Sequence, residues 1–102
     1  MISSVEGRTD EIRRLCLRYG VQRLDLFGSA STGAHDPLKS DLDFVVEFQP
    51  AARAAYADSY FGLLEDLGRL FGRPVDLVVE SAIKNPYFLQ SVEQTRTRIY
   101  EA

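Results

Sequence analysis

LDLFGSASTGAHDPLKSDLDFVVEF, residues 24–48, is the stretch on which the fold turns. Its start completes VQRLDLF (21–27), a short run between Gly20 and Gly28 with Leu24 and Leu26 on one face, which predicts a strand. Its end, residues 41–48, alternates strictly. Leu42, Phe44, Val46 and Phe48 share one face, and Asp41, Asp43, Val45 and Glu47 share the other, so a second strand is predicted with a greasy side and an acidic end. Between the two, GSASTGAHDPLKS holds two glycines, a proline and four serines or threonines. That density of turn-formers predicts a loop with at most one helical turn.

Outward from this stretch the periodicity changes. Ile12, Leu15, Cys16 and Tyr19 fall at i, i+3, i+4 and i+7, which predicts an amphipathic helix capped by Thr9 or Asp10 and ended by Gly20. From Ala51 to Phe71, Tyr60, Leu63, Leu64, Leu67, Leu70 and Phe71 recur at helical spacing, so one long helix is expected there, stopped by Gly72. PVDLVVE (74–80) predicts a third strand, with Asp76, Val78 and Glu80 on one face and Val75, Leu77 and Val79 on the other. Asn85-Pro86 opens a last helix, and RTRIYEA (96–102) is expected to add an edge strand. The fold class expected is α/β (α+β): a small mixed sheet flanked by helices, in one domain over residues 1–102.

Strand register brings the chemistry together. Leu42 and Phe44 must face the core, which forces Asp41 and Asp43 onto the opposite face with Cα atoms ~7 Å apart. Two converging carboxylates repel unless a cation neutralises them, and a hard divalent ion such as Mg²⁺ fits oxygen ligands of this kind. A D-x-D pair alone is weak evidence, since many are simply solvated. Asp76, isolated between Val75 and Leu77, should lie on the same face, where it needs a partner: a shared metal centre, or a salt bridge to Arg23, Lys39 or Arg73. Gly28-Ser29 follows the first strand directly. Glycine admits a phosphate close to the backbone, and serine bonds a phosphate oxygen or caps the next turn. A Gly-Ser pair is a common turn, and its place one loop before the D-x-D strand is what makes it informative. Together these parts make a nucleotidyl-transfer site, with Asp41 and Asp43 on metal ions, Ser29 on the β and γ phosphates, and Asp76 on a second metal or on the hydroxyl proton.

Bulk properties restrict the alternatives. A 102-residue chain with 45% apolar residues has a core's worth of material and little more, so large substrates must come with partners. A net charge of −3 lacks the basic excess needed to hold many phosphates, which disfavours nucleic-acid binding. Arg8, Arg13, Arg14, Arg18 and Arg23, and later Arg96 and Arg98, are interleaved with acids and are expected to form a solvated mixed surface. One cysteine excludes an intramolecular disulfide, and Cys16 on the apolar stripe is expected to pack as a small hydrophobe. Without an apolar leader or a ~20-residue apolar span the protein is expected to be cytoplasmic. His35 is expected on an exposed loop, and DPLKSDLDF fails as a calcium loop because Leu38 takes an oxygen position. Tyr56, Tyr60, Tyr87, Phe88 and Tyr100 are expected in the core or at its margin; exposed on one side, they would mark a partner surface.

LDLFGSASTGAHDPLKSDLDFVVEF and PVDLVVE resemble the minimal nucleotidyltransferase (MNT) family of the polymerase-beta superfamily, whose pattern of Gly-Ser, Asp-x-Asp and a later third acid is matched by Gly28, Ser29, Asp41, Asp43 and Asp76. The tail KNPYFLQSVEQTRTRIYEA is similar to the end of bacterial MNT proteins encoded beside HEPN-domain toxins. The resemblance implies the polymerase-beta-type nucleotidyltransferase fold, ATP as donor and Mg²⁺ as cofactor. It further implies a HEPN-type toxin as partner, with AMP transferred to a tyrosine of that toxin by this chain as antitoxin. Ser31-Thr32 stand where the family often has Ala-Arg, which leaves Lys39 as the cation on offer to the phosphates. Two other outcomes stay open: an antitoxin that neutralises by contact alone, and transfer to a small-molecule hydroxyl. The intact set of three acids counts against the first, and the lack of an acceptor-binding domain against the second.

Overall fold

Strand β2 (Leu42–Phe48) lies at the centre of the architecture, pairing with β1 (Val21–Phe27) on one side and β3 (Val75–Val79) on the other. The structure is a computed structural model that describes residues 3–28 and 41–102. Strand β4 (Thr97–Glu101) completes a four-stranded sheet of order β3-β2-β1-β4. The β2–β3 pair is parallel and the other two pairs are antiparallel, so the sheet is mixed, as the sequence predicts.

Alternation explains which face is buried. Leu24, Leu26, Leu42, Phe44, Val46, Phe48, Leu77 and Val79 project to one side and form the main core with Ile12, Cys16, Leu63 and Leu67. Each fully buried Leu or Phe is worth about 1.5–3 kcal/mol, which holds the register of β2 and, with it, the direction of its aspartates. The helices on this side are α1 (Ser3–Glu6), α2 (Thr9–Arg18) and α3 (Tyr56–Phe71). Helix α4 (Pro86–Thr95) covers the middle of the opposite face, where Val92 packs with Phe27 and Val45, and Val78 and Ile83 border them. No described helix is long and apolar enough to cross a membrane.

Three expectations are corrected. The N-cap of α2 is Arg8 and no side chain caps it; α1 leads into the turn before α2, and the Thr9 hydroxyl donates backwards to the Glu6 carbonyl, 3.0 Å. The segment expected as one helix from Ala51 begins instead as a 3-10 helix, Pro50–Ala55, and becomes α-helical only at Tyr56. Proline starts that segment and Ala52 is wedged against Gly20, where a Cβ would come within 2.7 Å of it, so packing decides its path. Finally, Tyr60 and Tyr100 are half-buried as expected, but Tyr56, Tyr87 and Phe88 are exposed, Tyr87 at 80%. The last helix opens at Asn85-Pro86 as expected; Asn85 caps α4, accepting from the backbone N–H of Tyr87 and of Phe88, which places those two side chains in the exposed first turn.

Cys16 is fully buried and its thiol is pushed up to about 12 by burial, so it acts as a core hydrophobe. The arginines split. Arg8 and Arg69 make exposed pairs with neighbouring acids, whereas Arg96 and Arg98 both close on the buried Asp25.

Candidate functional site

The parallel register of β2 and β3 sets Asp43 directly opposite Asp76. Residues in register on adjacent strands point to the same face with only ~4.8 Å between the strands, so the two carboxylates meet. A hydrogen bond from a protonated Asp43 to Asp76 favours the neutral acid. Asp43 is pushed up to about 6, first by burial, then by that hydrogen bond and by the negative charges of Asp76 and Asp41.

Asp41 stands one residue ahead of β2, exposed, and acts on Asp43 through its charge. Among the described residues no three Asp, Glu, His or Cys side chains stand close enough together to hold a metal ion. The structure thus brings Asp43 and Asp76 together and leaves Asp41 beside them. Of the salt-bridge partners open to Asp76, Arg23 reaches Glu80 instead, at 3.5 Å.

Gly28 ends β1 at the same edge. Its φ of 75° lies in the left-handed region, and a Cβ there would meet the Asp43 Oδ2 at 2.9 Å. Both facts require glycine. Its amide N–H donates to the Thr95 Oγ1 at 2.9 Å, while that hydroxyl donates to the Ser91 carbonyl at 3.0 Å. The last residue of α4 therefore fixes the turn that follows β1. Ser29 and Lys39, the other phosphate-binding residues expected from the sequence, lie outside the described residues, as does His35.

Beside the carboxylates a cleft of about 430 Å³ opens around the outer edge of β3. Asp43 and Asp76 line it with Phe27, Tyr60, Leu64 and Phe88. Tyr60 is held upright by its hydroxyl, which donates to the Leu77 carbonyl at 2.5 Å. The ring of Phe88 meets that of Phe27 edge to face, with centroids 6.0 Å apart. Thr95, Phe27, Tyr60 and Phe88 are the site residues that sequence reasoning misses. For the aromatics the available signal was their position: Phe27 precedes Gly28, and Phe88 follows a capped Asn85-Pro86 start. Thr95 carries no such signal, because its role depends on a contact 67 residues away in the chain.

Comparison with known proteins gives the family and the fold. A family model described as nucleotidyltransferase domain matches residues 10–99. A protein of Methanocaldococcus jannaschii, assigned by name as a protein adenylyltransferase, is 35% identical over 77 residues, covering 76% of this chain and 75% of the relative. Among solved structures, a minimal nucleotidyltransferase superposes with a TM-score of 0.72 at 28% identity, covering 90% of this chain and 89% of that one. A Shewanella oneidensis complex of tri-AMPylated HEPN toxin with MNT antitoxin shares the fold, with a TM-score of 0.62 at 20% identity over 96% of this chain and 73% of that one.

Proposed function

The chain belongs to the nucleotidyltransferase domain family, and from that premise we propose that it transfers AMP from ATP to a tyrosine hydroxyl of a HEPN-type toxin and thereby acts as the antitoxin. The observation that carries the reading is the Asp43–Asp76 pair, held in contact across parallel strands at the edge where β1 ends in Gly28. The name of the M. jannaschii relative supports protein adenylylation, and the Shewanella complex supports a HEPN partner.

The pair fits a Mg²⁺ ion: both groups are hard oxygen donors, and Asp76, in register opposite Asp43, disfavours the bare Asp43 carboxylate unless a cation is present. Bound by Asp43 and Asp76 with Asp41 alongside, Mg²⁺ would supply positive charge to the triphosphate and to the attacking oxygen. The protein's own groups do the positioning. Gly28, Ser29 and Lys39 hold the β and γ phosphates, with Thr95 fixing the backbone at Gly28. Asp76, the more open of the two acids, takes the proton of the incoming hydroxyl. The tyrosine oxygen then bonds to the α-phosphorus, the α–β bridging bond breaks, and pyrophosphate leaves towards Gly28.

The experiment is incubation of the chain with α-labelled ATP, Mg²⁺ and a HEPN-type protein from the adjacent gene. Label on a partner tyrosine, lost in the Asp43→Asn variant, is the expected result. Neutralisation of the toxin with no label on it would replace transfer by simple binding.

A further inference from the structure

We infer that the cleft around the outer edge of β3, walled by Phe88 and Tyr60, is the seat of the acceptor's aromatic ring; the inference rests on the transfer reading above and adds the residues that recognise the acceptor. An in-line displacement has a fixed direction: the nucleophile enters opposite the leaving group. Pyrophosphate leaves towards Gly28, at the end of β1. The sheet order runs β1, β2, β3, so the opposite side lies beyond Asp76, over the free edge of β3. The cleft opens there.

Its lining suits a neutral ring. Among the described residues the charged side chains that line it are Asp43 and Asp76, carboxylates that can accept a hydroxyl proton. The other described lining residues are apolar or aromatic, and a volume of about 430 Å³ is at the small end for organic ligands, enough for one ring with its flanking backbone. Phe88 is 38% exposed although it lies next to a core cluster, and its edge-to-face contact with Phe27 sets the orientation of its ring. Tyr60 cannot swing out without breaking its bond to the Leu77 carbonyl. These rings form a preset slot that holds a phenol hydroxyl near Asp76.

The test compares wild type, Phe88→Ala and Phe88→Trp as full-length proteins, with a tyrosine-containing peptide as acceptor and Mg²⁺-ATP as donor. Phe88→Ala is expected to raise KM for the peptide about tenfold, roughly the loss of one aromatic contact with its buried area. KM for ATP should stay within about twofold, and Phe88→Trp should restore peptide KM. A rise in KM for ATP instead would assign the ring to the donor's base and overturn the inference, as would no change in either constant. Should wild type transfer nothing, the transfer reading fails separately, and NMR contacts decide the slot: N-acetyltyrosinamide, added with Mg²⁺ and AMP-PNP, should perturb the Phe88 and Tyr60 ring protons, and their silence would overturn it.

Discussion

The face of the sheet opposite the main core carries two clusters of charge, built on opposite rules. At one end Asp43 meets Asp76, and the charges that act on Asp43 are negative. At the other, Asp25 is 1% exposed and bonded through both oxygens, to the Arg96 Nε at 2.5 Å and to the Arg98 Nε. Arg96 also reaches Glu80 at 2.7 Å, and Arg23 joins Glu80 from β1. Glu80 is held below the usual carboxylate range, first by its hydrogen bond to Arg96. The matched cluster ties β1, the end of α4 and β4 together. The mismatched one, on β2 and β3, is left in tension. Between them Val92, Phe27 and Val45 form an apolar partition under α4. The difference teaches that balanced charge here serves the fold and like charge serves the chemistry, since only the latter calls for an added cation.

Breaking the comparison at its functional end has the largest expected effect. Asp43→Asn should lower transfer about 10³-fold, close to 4 kcal/mol of transition-state stabilisation, with an unchanged circular dichroism spectrum. At the structural end, Asp25→Ala strands two arginines and should cost about 3 kcal/mol of stability, less than a fully buried pair because Arg98 keeps access to water. A urea melt measures this. The defect in transfer should follow the folded fraction and no more. If Asp25→Ala abolished transfer while leaving stability intact, the division of labour between the clusters would be wrong.

Gly28→Ala acts where the two ends of the description meet. Its left-handed backbone costs an alanine about 1–2 kcal/mol, and the new Cβ pushes on the Asp43 carboxylate. Stability should fall by that amount and transfer by more than stability explains, as judged by rates measured on fully folded protein. The smallest effect is a pH dependence. Asp43 is raised from 3.8 to about 6 in the fold, so the native state binds its proton more tightly than the unfolded chain. In metal-free buffer this group therefore lowers stability as pH rises from about 4 to about 6, and no further above it. The full shift would amount to ~3 kcal/mol, and screening in a half-open site reduces it to about 1. Melting temperature between pH 4.5 and 6.5, compared with Asp43→Asn, isolates that share.

Much of the site was legible in the sequence because a strand's period of two leaves little choice. Once Leu42 and Phe44 face the core, Asp43 must face away, and the same alternation in PVDLVVE predicts Asp76 on its side of the sheet. The parallel pairing then turns two separate inferences into one contact. What stayed hidden depends on packing between distant segments. Asp25 sits between two core leucines, and nothing local reveals that Arg96 and Arg98, spaced by two on the edge segment, both close on it. The 3-10 start at Pro50 follows from Ala52 against Gly20, and the exposure of Phe88 follows from where α4 begins. Periodicity fixes faces; it says nothing of which residue at a face's edge is left uncovered.

The mismatch at Asp43–Asp76 can be tested directly by melting wild type and Asp43→Asn at pH 7.5, each without metal and with Mg²⁺-ATP. The account predicts that the variant melts a few degrees higher without metal, ~4–8 °C per kcal/mol relieved in a chain of this size, and that Mg²⁺-ATP raises wild type alone and reverses the order. A variant that melts lower in metal-free buffer, or that gains as much from Mg²⁺-ATP as wild type does, would contradict it.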